Sequence, residues 1–247
     1  MSIPIQIRTF LAILLMTNIF ACHSGNDTSA AEAGYSDVQI AGAMKNVMWK
    51  GELQSVIDLD TIRNKKGLYG LGPVSYLRGE ILINDGKTYV STVLTDTTMS
   101  VKATNQVSAP FFVYGYVQEW ESVELPGSVK NIQDLETFLD ERTKSAKRPF
   151  VFKLTGPIAS ANIHVQNLPE GTTVSSPAEA HQGQKTYALE NADVAIIGFF
   201  STGHQGIFTH HDSFVHMHLI TADEQQMGHL DEAAFQSQKM TLYLPMQ

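Results

Sequence analysis

Apolar and polar positions repeat along this chain with two different periods. Across residues 37–52, Val38, Ile40, Ala41, Met44, Val47 and Met48 recur at helical spacing, with Ser36 or Asp37 placed as N-cap. That spacing predicts an amphipathic helix, and residues 53–62 predict a short further one. The pattern then changes. A glycine-rich step at 67–72 leads to Ile81-Leu82-Ile83, the turn Asn84-Asp85-Gly86, and the run 88–93. Two strand-like runs joined by Asp-Gly predict a β-hairpin. Residues 111–120 predict an aromatic strand. The helical period returns at 131–143, with Leu135, Phe138 and Leu139 on one face and Ser128 as cap. Segments 150–155, 161–166, 192–200 and 213–221 read as strands, and 239–244 as a last short one. Helix, sheet, helix, then mostly sheet predicts an α+β fold rather than a wound α/β one.

Composition adds bounds. The chain has 247 residues, 43% hydrophobic and 17% charged, enough for one large domain or two small ones. Its net charge of −8 and the lack of a dense Lys/Arg cluster argue against a nucleic-acid surface. Residues 1–22 stand apart. A single side-chain cation, Arg8, precedes an apolar run at 10–20 that ends in Ala21-Cys22. The run is short for a membrane span. A small residue before the chain's one cysteine resembles a bacterial lipoprotein signal, whose cleavage leaves Cys22 lipidated. The other reading is an ordinary signal peptide and a secreted product. Both readings take the mature protein out of the cytoplasm, and the first ties it to a membrane through its N-terminal lipid only. One cysteine cannot form an intrachain disulfide. Residues 23–34, including His23, are small and polar and read as a tether. Residues 35–247 remain as the folded domain, divided near 145/146 into an N-terminal half and a second half.

The second half carries the candidate chemistry. His216-Met217-His218 lies within the predicted strand 213–221, where residues i and i+2 share a face. A polar turn at 222–226 lets the chain fold back and set His229 opposite them. Three imidazoles are a usual ligand set for a catalytic zinc. The competing reading is three ordinary polar residues on a half-buried strand. His204, His210 and His211 form a second group at 201–212, read as a solvated loop or as secondary metal binding. The cupin H-x-H signature fits poorly, since Glu224 is off its usual gap. H-E-x-x-H, G-x-S-x-G and Walker motifs are absent.

Several segments together resemble the α-acetolactate decarboxylases, from Val38 to Pro245. They are 38–58, Gly70-Leu71-Gly72, Leu77-Arg78-Gly79-Glu80, Asp85-Gly86-Lys87, Ala109-Pro110-Phe111, and the block 203–229 with its H-x-H and a third histidine after ten residues. The resemblance implies a β-rich, two-part fold with a zinc-binding, barrel-like C-terminal half. It implies Zn2+ on His216, His218 and His229, with Glu80 approaching the metal. Glu80 alone would read as a hairpin-edge carboxylate. The implied reaction converts a small molecule, 2-acetolactate, to acetoin and carbon dioxide. The metal would be a Lewis acid for the enediolate and Glu80 a proton donor or water-orienting group. The alternatives are a related hydroxy-keto acid as substrate, or a zinc-binding lipoprotein without turnover. Family members are often homodimers. Two positions depart from the family. Ungapped alignment puts His164 where the family carries an arginine, either as a substrate contact or as a plain strand residue. The family's tail glutamate has no counterpart up to Gln247, and nearby Glu232 has no assigned role.

Overall fold

Two antiparallel sheets, one open and one closed on itself, carry nearly all of the regular structure. The computed structural model describes residues 1–2 and 35–246. The rest of the expected signal segment, Cys22 and the tether with His23 lie outside the described residues. Among the described residues no helix is long and apolar enough to cross a membrane.

The first part runs β1 (Gln39–Ala41), α1 (Met44–Lys50), β2 (Ile57–Asp58), β3 (Leu68–Pro73), β4 (Glu80–Asn84), β5 (Lys87–Val93), β6 (Met99–Ala103), β7 (Ser108–Ala109), β8 (Phe112–Tyr116) and β9 (Trp120–Glu124). After α2 (Ile132–Arg142) come β10 (Phe150–Val165), α3 (Pro177–Ala180), β11 (Lys185–Glu190), β12 (Asp193–Phe200), β13 (Val215–Thr221), β14 (Met227–Phe235) and β15 (Thr241–Pro245). The first sheet has the order β1-β8-β3-β4-β5-β6. In the second, β10 pairs with β12, β12 with β13, β13 with β14, and β14 with β10 again, so a small barrel closes. β15 and β9 extend it from the β10 edge. The expected α+β, β-rich architecture with a barrel-like second part is present.

Several elements differ from the pattern reading. The first helix is shorter, because Gln39–Ala41 is claimed by pairing with Phe112–Tyr116, and no side chain caps its start at Ala43. Residues 53–62 hold a short strand and a 3-10 turn (Leu59–Thr61) rather than a helix. The aromatic strand breaks into β8 and β9, which serve different sheets. Asn131, not Ser128, caps α2, its side chain accepting the Asp134 N–H. The two strands expected at 150–155 and 161–166 are one bent strand, β10, carrying register shifts near 158–160 and 162–163. The Asp-Gly hairpin joining β4 and β5 is as expected.

Alternation assigns the faces. Leu82 packs with Ile197, Phe199, Ile220 and Met227 in an apolar layer that joins the first sheet to the barrel. Ile81 and Ile83 point to the other side, into a core with Leu59 and Phe112. On β13, Met217 and Leu219 join the barrel core with Leu135 and Leu139 of α2. Ile220 faces the layer between the sheets, and His216 and His218 are on that same face. The histidine pair therefore points out of the barrel, toward the strand that begins with Glu80.

Candidate metal centre and active site

Register builds the site. His218 of β13 lies directly opposite His229 of β14, and His229 opposite His164 of β10. His216 is two residues from His218 and shares its face. One ligand atom from each of His216, His218 and His229 lies within 4.8 Å of the others, and all three side chains are buried. β10 and β14 approach closely here: a Cβ on Gly228 would sit 2.4 Å from the His164 carbonyl oxygen. Only glycine allows that contact.

The carboxylate comes from the first sheet. Gly79 has φ +151, and a Cβ there would lie 2.2 Å from the Ser91 carbonyl oxygen. This backbone turns β4 so that Glu80, on the Leu82 face, is 2% exposed. Glu80 Oε2 is 3.6 Å from His218 Nε2, and Oε1 is 4.0 Å from His164 Nε2. The Gln166 backbone N–H donates to Oε1 at 3.3 Å. Burial pushes the Glu80 carboxyl well above the usual range; the Gln166 N–H opposes this and the Asp231 charge adds to it.

Burial has the opposite effect on the imidazoles. It takes His218 down to about 3, with the nearby His164 adding to the shift. His216 and His229 are held well below the ordinary histidine value, first by burial and then by neighbouring imidazoles. These rings are neutral, the form that binds metal. Neither nitrogen of His218, nor Nδ1 of His216, has a hydrogen-bond partner. The Ile81 and Phe208 carbonyls approach the two rings and raise their pKa somewhat, without forming well-aligned bonds. Bare nitrogens in a dry site cost about 1–3 kcal/mol each. Converging on one another, they fit a bound cation, and an N-donor set of this kind suits zinc and several other first-row ions.

His164 is in the same site. It is buried and stacks on His229 with ring centroids 4.6 Å apart. Its Nδ1 lies 2.7 and 2.9 Å from the two oxygens of Asp231. Asp231 sits where the β10–β14 register skips a residue, between Leu230 and Glu232. Such a bulge re-aims a side chain. The pattern of hydrophobic positions gives no sign of it, although Asp231 follows His229 at i+2. Glu232 is outside the site and accepts a hydrogen bond from Asn162. His210 is half buried rather than solvated, its ring 5.3 Å from that of His229. His211 is the exposed member of its group, and His204 bonds Ser201. A cavity of about 30 Å3 is lined by Glu80, His164, Gln166, His181, His210, His216, His229 and apolar neighbours including Met44 and Phe111. His210 also lines two outer pockets, of about 360 and 200 Å3.

A family model for alpha-acetolactate decarboxylase matches residues 41–244. The chain belongs to the alpha-acetolactate decarboxylase family. Solved structures share the fold at low identity. The alpha-acetolactate decarboxylase of Bacillus subtilis strain 168 is 19% identical, with a TM-score of 0.68 and 86% of each chain covered. The acetolactate decarboxylase of Bacillus subtilis subspecies spizizenii is 18% identical, with a TM-score of 0.68, 86% of this chain and 87% of that one. A Staphylococcus aureus protein described as of unknown function and similar to alpha-acetolactate decarboxylase is 13% identical, with a TM-score of 0.66, 85% of this chain and 84% of that one. Among curated proteins nothing matches. The family supports a decarboxylase, a carboxy-lyase acting on a small molecule.

Proposed function

We propose that this protein is a zinc-dependent decarboxylase that converts 2-acetolactate to acetoin and carbon dioxide. The observation that carries this reading is the set of three buried, neutral imidazoles whose ligand atoms converge within 4.8 Å beside a buried glutamate. His216, His218 and His229 would hold the ion. Bound there, it supplies Lewis acidity for the negative charge that develops on a substrate oxygen as carbon dioxide leaves. Glu80 supplies the proton. In the metal-free protein burial raises the carboxyl well above the usual range, and a bound cation would offset part of that rise. Oε1 accepts the Gln166 N–H, so Oε2 is the oxygen that carries the transferable proton. When the bond to the departing carboxylate breaks, its electron pair stays with the substrate, and Glu80 returns a proton to that carbon. Two outer pockets adjoin the inner cavity at His210, and this reading brings the substrate in through one of them.

One observation favours a second reading, a different hydroxy-keto acid or a zinc-binding protein without turnover. Among the described residues no lysine or arginine lines the inner cavity, so none of them grips a carboxylate there. The deciding experiment measures acetoin from racemic 2-acetolactate, with protein loaded with zinc or stripped with EDTA. Acetoin that appears with zinc and disappears with EDTA is expected. One tightly bound zinc per chain and no acetoin would move the reading to the second.

The same proposal places the protein outside the cytoplasm, anchored through lipid on Cys22. The apolar run at 10–20 ending in Ala21-Cys22 supports it. Metabolic labelling with a radioactive fatty acid should mark the chain and fail on Cys22→Ser. A soluble, unlabelled product would favour simple secretion.

A further inference from the structure

His218, His229 and His164 form a row across three adjacent strands, and His216 completes a group of four imidazoles on one face. The H-x-H motif and its third histidine account for only three of them. The fourth is held in a defined orientation. An ionised carboxylate can only accept, so Asp231 places the proton of His164 on Nδ1 and leaves Nε2 unprotonated, an acceptor. The Gln166 side-chain nitrogen, 3.4 Å from Nε2, is a donor and agrees with that tautomer. Nε2 is directed toward Glu80 Oε1 at 4.0 Å, in the cavity that His216 and His229 also line. A histidine that gives its far N–H to a carboxylate and keeps its near nitrogen as an acceptor in a cavity shared with other imidazoles is arranged as metal-ligating histidines usually are, and here its ligand atom groups with those of His229 and Asp231.

The surroundings agree. A cavity of about 30 Å3 has room for an ion or a water, not for an organic molecule. Glu80 lines it and Asp231 stands behind the His164 ring, while among the described residues its lining holds no lysine or arginine. Bare imidazole nitrogens backed by carboxylates attract a cation. We propose that His164 is a fourth imidazole ligand of the ion held by His216, His218 and His229, with Asp231 as its positioning residue. This rests on the metal reading of the three-histidine set and not on turnover of any substrate.

The test is a Co2+ titration of the metal-free protein, following the visible absorption bands, which report coordination number and donor type. Wild type, His216→Ala, His164→Ala and Asp231→Asn are compared, with circular dichroism to confirm folding. Wild type should take up one Co2+ per chain, and His216→Ala should lose it. His164→Ala should shift the bands and weaken binding at least tenfold. An asparagine can donate to Nδ1 and force the proton onto Nε2, so Asp231→Asn should shift the bands the same way and weaken binding about 10- to 100-fold. The Asp231 side chain is about a third exposed, so this variant keeps the test open should His164→Ala misfold. Unchanged bands and affinity in His164→Ala, or weaker binding in Asp231→Asn without a band shift, would overturn the proposal while leaving the three-histidine centre intact. A wild-type protein that binds no Co2+ would overturn both.

Discussion

The two sheets supply the site in unequal ways. The barrel provides His216, His218, His229 and His164 from three adjacent strands, where pairing and alternation bring the rings together and Gly228 allows the close β10–β14 approach. The first sheet provides a single carboxylate. Glu80 needs special backbone on its approach: Tyr76 and Leu77 have φ of 62° and 51°, and Gly79 follows at 151°. Non-glycine residues in that region cost on the order of 1 kcal/mol or more each. The proposed metal cage is thus built largely from sheet pairing, whereas the proposed proton donor is positioned by strained backbone. Removing a cage ligand should remove the metal, and removing Glu80 should spare it.

The largest expected effect is therefore that of His218→Ala. Among the described residues neither ring nitrogen of His218 has a well-aligned hydrogen bond, as expected of a ligand whose cation is removed. Bound zinc after gel filtration should fall below stoichiometry, and acetoin formation should drop by about 10⁴-fold or more, at or beyond the upper end of what loss of one acid–base group costs. Retention of full metal content would take His218 out of the cage. Next comes Glu80→Gln, which should keep zinc while slowing turnover by about 10² to 10⁴. It should also stabilise the metal-free protein in mildly alkaline solution. The Glu80 pKa is raised by folding, so the stability it contributes is complete below its unfolded value near 4.5 and is lost as pH rises through the folded value. A lower urea midpoint for the variant at pH 8 would contradict that assignment.

The imidazoles predict the opposite slope. His216, His218 and His229 have folded pKa values below the unfolded value near 6.5, with His218 at about 3. Below pH 6.5 the unfolded chain binds protons that the folded chain refuses. The EDTA-treated protein should lose up to about 1.4 kcal/mol per pH unit for each imidazole as pH falls toward 3, and change little from this source above 6.5. The single opposing carboxyl cannot cancel three imidazoles. Urea unfolding between pH 5 and 8 measures the slope; a flat profile would mean that the rings are solvated or already charged.

How much of this was legible follows from the same contrast. The period-2 alternation of 213–221 placed His216 and His218 on one face, and a turn placed His229 opposite. The Asp-Gly turn set the β4–β5 hairpin. Long-range pairing was not legible. Gly156-Pro157 in the middle of 150–165 looks like a break, yet β10 continues through it because β12 and β11 line its edge. The 37–52 helix lost its first turn to β8, a partner about seventy residues away. Proximity of His164 to the three other histidines depends on β10 pairing with β14, which no local pattern encodes; the family resemblance alone marks that position. Asp231 was missed because a bulge aims it.

That bulge gives the smallest and most discriminating prediction. Asp231 and Glu232 are adjacent carboxylates, both on the exposed side of β14, and the chain is otherwise similar around them. Only the skipped register separates their surroundings: Asp231 turns to His164 at 2.7 Å, and Glu232 accepts from Asn162 at 2.8 Å. Glu232→Gln keeps an oxygen for that Asn162 contact and leaves the cavity untouched. It should change stability by less than about 0.5 kcal/mol, as surface substitutions usually do, with zinc content and acetoin formation unchanged. Urea unfolding and the acetoin assay on this variant supply the measurement. A loss of activity comparable with that of Glu80→Gln would mean that the strand slides by one residue in solution and exchanges the two carboxylates, and the row of imidazoles opposite it would have to be redrawn.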